Sequence, residues 1–212
     1  MSGPLVVLGD TLLDVDIAGT SRRSVPDAAS APVVDVADGV RRPGGAGLAA
    51  LLAAADGVPV RLVTALANDE EGHWLAATLA ERVELVAGPA LGPSCLKTRV
   101  LDRGRPLLRL DHGLSTCAGA TDTMLDALRD AGAVVVADYG RGITGDPGVV
   151  QVLCELSGQV PVVWDPHPRG RIPVPGCTLV TPNLAEARRA LRPREFSSEA
   201  AEGGLAAAPR LR

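Results

Sequence analysis

The chain has 212 residues, 21 of them Lys or Arg against 25 Asp or Glu, for a formal net charge of -4. That length suffices for one sizeable core, while an acidic balance without a run of Lys or Arg lacks the footprint that neutralising nucleic-acid phosphates requires. The four aromatics, Trp74, Tyr139, Trp164 and Phe196, are too few for a base-stacking platform. No nucleic-acid partner is expected.

In chain order, Leu5 to Leu8 is a short apolar run closed by Gly9-Asp10, the pattern of a strand buried on both faces. Similar runs recur at 60–65, 83–87, 133–137, 160–164 and 178–180, and helical stretches lie between them at 47–55, 70–82, 120–131, 147–156 and 184–191. Strands alternating with helices predict an α/β fold with a doubly wound, mostly parallel sheet. Two segments break the alternation: 15–18 with 32–36, and 96–101 with 106–110, the latter flanking the turn Asp102-Arg103-Gly104-Arg105. They predict a small β-layer beside the main sheet, with strands within about 15–36 and 96–110. Residues 1–191 form one unit in this reading, and 192–212 an irregular or weakly helical tail.

The cysteines Cys95, Cys117, Cys154 and Cys177 are far apart and have no histidine at ligand spacing, as reduced thiols of a cytoplasmic protein would be. No leader is predicted, because Gly9-Asp10 interrupts the first apolar run, and no apolar run approaches the ~18 residues of a membrane span.

Several strand ends carry chemistry. Asp10 and Asp14 follow the first strand at its carboxyl end, the ligand-binding edge of open α/β sheets; they could accept hydrogen bonds from sugar hydroxyls, or Asp10 could only cap a turn. Gly44 and Gly45 in Arg42-Pro43-Gly44-Gly45-Ala46-Gly47 precede a helix, where glycine lets backbone approach a ligand but is common in any case. Asn183 and Glu186, three apart after Thr181-Pro182, could present oxygens to a hydrated Mg²⁺ and a nucleotide phosphate, or form a plain capping box. Asp138 with Arg141, and Asp165 with Arg169, also follow strands, and arginine can grip phosphate bidentately.

Taken together, Val6-Val7-Leu8-Gly9-Asp10 with Leu13-Asp14, Arg42-Pro43-Gly44-Gly45-Ala46, Lys97-Thr98-Arg99-Val100-Leu101, Leu108-Arg109-Leu110-Asp111, Asp138-Tyr139-Gly140-Arg141-Gly142, Asp165-Pro166 and Thr181-Pro182-Asn183-Leu184-Ala185-Glu186 resemble, in order, the PfkB/ribokinase family of carbohydrate kinases. The resemblance is strongest to the D-glycero-β-D-manno-heptose 7-phosphate kinase branch. It implies a ribokinase-type sheet with a β-lid, an ATP- and Mg²⁺-dependent transfer to a sugar phosphate in nucleotide-heptose synthesis, and a homodimer through the lid. It also implies roles: Asp10, Asp14, Gly44, Gly45, Arg109 and Asp138 at the sugar; Asp165, Asn183 and Glu186 at the nucleotide, with Glu186 reaching Mg²⁺ through water.

The chain departs from the family pattern where Leu48 replaces an Asn, where 22–32 carries an extra residue, and where His167-Pro168-Arg169 follows Asp165-Pro166 in place of a lysine. The family's Gly-Ala-Gly-Asp motif, source of its catalytic Asp and anion hole, occurs nowhere in the 212 residues. No catalytic base is therefore assigned. The resemblance then implies a fold incomplete at its C-terminal side and a truncated, inactive kinase, or else a catalytically silent sugar-binding module.

Overall fold

The structure, a computed structural model, describes residues 3–190. The tail expected at 192–212 lies outside the described residues. Seven strands form the main sheet in the order β11-β10-β9-β1-β4-β5-β8: β1 (Leu5–Gly9), β4 (Val60–Leu66), β5 (Glu84–Leu91), β8 (Thr116–Cys117), β9 (Ala133–Ala137), β10 (Val162–Asp165) and β11 (Leu179–Val180). All pair in parallel except β8, which runs antiparallel to β5.

Alternate residues of the buried strands feed two cores. On one face Val6, Leu8, Val134, Val136 and Trp164 pack with α3 (Asp122–Arg129) and α4 (Pro147–Leu156) through Met124, Leu128, Val149, Val152 and Leu153. On the other, Val7, Leu62 and Leu13 pack with α1 (Ala46–Ala55) and α2 (Glu70–Ala80) through Ala46, Ala50, Leu75 and Leu79. Helices on both faces of a parallel sheet are the doubly wound arrangement the alternation predicted.

The β-layer differs from expectation in extent. The pair expected at 96–101 and 106–110 is present, but in place of the short pair at 15–18 and 32–36, β2 (Thr11–Val25) and β3 (Ala28–Gly45) form one hairpin with strands of 15 and 18 residues. With β6 (Leu96–Asp102) and β7 (Arg105–His112) they make a four-stranded sheet in the order β3-β2-β6-β7. The Asp, Gly, Arg and Pro residues that hide these strands from a hydropathy reading sit on a sheet with an exposed face, where apolar alternation is not required. Pro32 and Pro43 are tolerated because β3 is an edge strand and its missing N–H groups need no partner. The turn at Asp102-Arg103-Gly104-Arg105 forms as expected, with positive φ at both Arg103 (48°) and Gly104 (81°).

Register decides which lid residues face together. Asp14 stands opposite Arg42 of β3 and Lys97 of β6, and Lys97 opposite Asp111 of β7; one step along, Asp16 stands opposite Arg99, and Arg99 opposite Arg109. One lid face is therefore charged. The alternate face carries Leu13, Val15 and Leu96, which pack on the core beside α1 and α2.

Candidate functional site

The chain passes from β1 toward β4 and β5 on one side and to β9 and β10 on the other, so β1 and β9 flank the switch point of the sheet. Open α/β sheets bind ligands in the crevice at that point. Asp10 follows β1 there, Asp138 and Tyr139 follow β9, and the charged lid face continues from Asp14.

Asp10 is buried, and one of its oxygens accepts from the backbone N–H groups of Tyr139 and Arg141, both at 2.9 Å. Burial pushes its pKa up to about 6 against the pull of those donors, with the nearby charge of Asp138 adding to the rise. Its own carbonyl accepts from Ala46 N–H at the start of α1. Asp10 thus ties three segments of the crevice together, a shaping role rather than a free contact. Thr64, fully buried on β4, completes the tie by donating to the Gly9 carbonyl (2.8 Å) and accepting from Thr11 N–H (3.2 Å).

Asp14 is equally buried but differently placed. Its Oδ1 lies 3.2 Å from Arg99 Nη1, without the alignment of a hydrogen bond, and is otherwise unpartnered. A buried carboxylate oxygen with spare capacity is costly to fold around unless something else comes to it. Gly44 sits directly under it: a Cβ there would meet Asp14 Oδ2 at 2.5 Å and Leu12 Cδ1 at 2.6 Å. Gly45 is the N-cap of α1 with φ 61° and ψ -134°. Gly45 is therefore required by the backbone itself, whereas Gly44 leaves the room that the Asp14 carboxylate occupies.

Asp138 has little capacity left. It accepts from Gly140 N–H (2.7 Å), Thr144 Oγ1–H (2.9 Å) and Arg171 N–H (3.0 Å), and is 2% exposed, so it organises the loop after β9. Arg109 lies on the exposed strand β7, paired with Asp111 at 2.7 Å. Asn183 and Glu186 form a reciprocal cap at the start of α5 (Leu184–Ala190): Asn183 Oδ1 accepts from Ala185 and Glu186 N–H (both 3.0 Å), and Glu186 Oε2 from Asn183 N–H (2.9 Å). Asp165, at the end of β10, is exposed; partial burial and then the charge of Glu186 push its pKa up.

Four lid residues were not singled out by spacing. Arg42 pairs with Asp16, Arg99 bridges Asp14 and Asp16, and the Lys97 ammonium stands 4.7 Å from the centroid of the Tyr139 ring, which itself stacks near His167 with centroids 6.4 Å apart. The signal that could have found them is the two-residue alternation Asp14/Asp16 and Lys97/Arg99. Burial lowers the pKa of Lys97, with Arg109 and Arg141 acting in the same direction and Asp14 and Asp111 against it.

Among the described residues no cluster of three or more His, Cys, Asp or Glu is arranged to hold a metal ion, and no helix is long and apolar enough to cross a membrane. The donor set at the sheet edge, Asp165 and Glu186, fits only a cation that keeps most of its waters, which is the habit of Mg²⁺.

The architecture is that of the ribokinase-type carbohydrate kinases. The ribokinase of Arabidopsis thaliana, solved with ribose and ATP, superposes with a TM-score of 0.64 at 20% identity over 89% of this chain and 62% of that one. A ribokinase from Thermotoga maritima gives 0.58 at 16% identity, again over 89% and 62%. No protein-family model matches the sequence. In sequence the chain is similar to the bifunctional protein HldE of Streptomyces coelicolor, 48% identical over 184 residues, which cover 87% of this chain and 38% of that protein. HldE of Pasteurella multocida is 35% identical over 95% of this chain and 43% of its own length. The chain thus spans about two fifths of the curated relatives it matches.

Proposed function

We propose that the chain is the sugar-binding part of an ATP-dependent carbohydrate kinase whose substrate is a phosphorylated heptose or a related sugar phosphate. The observation that carries this reading is Asp14: a buried carboxylate on the charged lid face at the switch-point crevice, whose Oδ1 accepts no hydrogen bond and has only the Arg99 guanidinium, at 3.2 Å, beside it. The names of the relatives and the ribokinase fold support it, and the heptose assignment rests on the ordered motifs. Asp14 would accept from sugar hydroxyls and orient them, Asp10 would fix the floor, and the lid would exclude water from the crevice. Mg-ATP, when bound, would supply the phosphoryl group; Asp165 and Glu186 are the residues here that would face it. The reading includes a cytoplasmic location and a pairing of two copies through the lid.

Calorimetric titration with heptose 7-phosphate tests the site. Asp14→Ala is expected to weaken binding at least about tenfold, since a charge-assisted contact is lost, while the melting temperature changes little. An unchanged affinity would remove Asp14 from the site.

The Asn183–Glu186 cap and the saturated Asp138 favour a second reading, a sugar-binding module without transfer chemistry. Both readings expect the purified 212-residue chain to show little or no sugar-dependent ADP release, because a general base and an anion hole are each worth about 100-fold or more. Robust turnover would overturn that expectation and point to Asp138 or Asp165 as a base. Sugar-dependent ATP binding by the chain would separate the two readings in favour of the kinase.

A further inference from the structure

The lid is two hairpins, and each is rooted in the body of the protein by an aspartate. Asp10 roots the first, where β1, β2 and α1 meet. Asp69 roots the second. It is the N-cap of α2, where its Oδ1 accepts from Gly72 N–H at 2.8 Å. The same oxygen accepts from Ser94 Oγ–H at 2.7 Å, and Oδ2 accepts from Ser94 N–H, also at 2.7 Å. Burial pushes the Asp69 pKa up, but the Ser94 hydroxyl and the N–H groups of Ser94 and Gly72 outweigh it and hold the carboxyl below its usual range, so these bonds are charge-assisted. Ser94 is buried and stands two residues before β6. Its neighbour Cys95 carries the tie onward: the Cys95 carbonyl accepts from Leu13 N–H at 2.8 Å, and its thiol donates at 3.3 Å to the carbonyl of Gly113, where β7 leaves the lid. Gly113 has φ 75°, and a Cβ on it would collide with the Ser94 carbonyl. Leu13 is the residue before Asp14, so bonded contacts run without a break from the start of α2 to the strand that presents Asp14. Both Asp69 oxygens are engaged by the protein's own donors, which leaves Asp14 as its route to a ligand.

We propose that Asp69 is a positioning residue for the crevice: by holding Ser94 it fixes the β6–β7 hairpin on the body, and through the Cys95–Leu13 bond it sets where Asp14 stands at the switch point. This inference rests on the reading of the crevice as a sugar site and adds to that site a residue that touches no substrate. A binding carboxylate must be held within about 0.5 Å of its productive place, and because Leu13 adjoins Asp14, a displacement of the Ser94–Cys95 root reaches Asp14 nearly undiminished. Capping does not account for the residue type at position 69. A serine caps a helix about as well as an aspartate does, whereas only the second oxygen and the longer stem of aspartate let one side chain hold α2 and Ser94 together.

Asp69→Ser therefore separates capping from the tie, and Ser94→Ala removes the hydroxyl bond alone. The test titrates the full 212-residue chain with heptose 7-phosphate, as wild type, as each of these variants, and as each combined with Asp14→Ala; amide hydrogen exchange is followed without ligand. Asp69→Ser is expected to weaken sugar binding about tenfold, and Ser94→Ala about threefold. Exchange at Leu13 N–H should quicken at least about threefold in Asp69→Ser, while the amides of α2 exchange as in wild type. With Asp14 already replaced, neither variant should cost further affinity, because both act through that carboxylate. Wild-type affinity in Asp69→Ser, a loss that adds in full to that of Asp14→Ala, or faster exchange confined to α2 would each overturn the inference and leave the sugar site standing. Absence of heptose 7-phosphate binding by wild type would overturn the sugar-site reading and this inference together. Should Asp69→Ser fail to fold, Ser94→Ala decides the matter by the same measurements.

Discussion

Stability is expected to fall by about 3 kcal/mol between pH 4 and pH 7 through one residue, Asp10. Its pKa in the folded protein is raised to about 6 from 3.8. A carboxyl with a raised folded pKa holds its proton longer in the native state than in the unfolded chain. Its stabilising contribution is therefore fully present below about pH 4 and is lost as pH rises through 6. Desolvation outweighs the two backbone donors that favour the ionised form, which is why the sign is opposite to that of most acidic groups. Asp10→Asn keeps an oxygen for the Tyr139 and Arg141 N–H groups and removes the titration, so its denaturant midpoint should be flat across that range where the wild type declines. Asp10→Ala leaves both N–H groups without an acceptor in a buried setting, and should be less stable than Asp10→Asn by about 2–4 kcal/mol at every pH. Urea melts of the three proteins from pH 4.5 to 7.5 check both statements. An Asp10→Asn protein that retained the wild-type slope would show that another group titrates.

The same residue shows how far the sequence could be followed. Its place after a buried strand was legible, because Leu5–Gly9 is apolar on both faces and Gly9-Asp10 ends the run. Its partners were not, since Tyr139 and Arg141 lie 129 and 131 positions away and reach Asp10 through backbone N–H groups, which leave no mark on side-chain type. Thr64 was missed for a related reason: a threonine inside a β-branched run reads as strand filler, and only the fold sets it against Gly9 and Thr11.

The helices and the parallel strands were recovered nearly whole, because burial on both faces writes continuous apolar runs. The lid was not. Its long hairpin shows no sustained period of two, being polar on its charged face and interrupted by Gly, Pro and register shifts at Ala18/Gly19 and Ser21/Arg23. Losing those strands meant losing their register, and with it the row that joins Arg42, Asp14, Lys97 and Asp111. For Asn183 and Glu186 the spacing alone carried both a cap and a nucleotide contact, and the geometry found is the cap. A carboxylate that already accepts from Asn183 N–H still has its second oxygen, so the cap and a water-mediated role toward Mg²⁺ can coexist.

Alanine at Gly45 is expected to cost at least about 3 kcal/mol, roughly 10 °C in melting temperature for a chain of this size, whereas alanine at its neighbour Gly44 should act mainly on binding. Gly45 has φ 61° with ψ -134°, a combination that side-chain-bearing residues scarcely reach. Its added Cβ would collide with the backbone carbonyl of Asp10. That carbonyl cannot move aside, because it accepts the Ala46 N–H that starts α1, and Asp10 N–H is itself held by the Ala137 carbonyl. At Gly44 the obstructing atoms are side-chain ends, Asp14 Oδ2 at 2.5 Å and Leu12 Cδ1 at 2.6 Å. The carboxylate can rotate away, at a smaller cost of about 1–3 kcal/mol for the overpacking, but it then no longer points where Asp14 would meet a sugar hydroxyl. Gly44→Ala should therefore reproduce most of the Asp14→Ala loss in sugar affinity while remaining folded, and Gly45→Ala should melt early or accumulate as insoluble protein. Parallel thermal melts and sugar titrations of the two variants decide it: a Gly44→Ala protein that binds as wild type would mean that the Asp14 carboxylate does not need its present orientation, and a stable Gly45→Ala protein would mean that the start of α1 can shift away from Asp10.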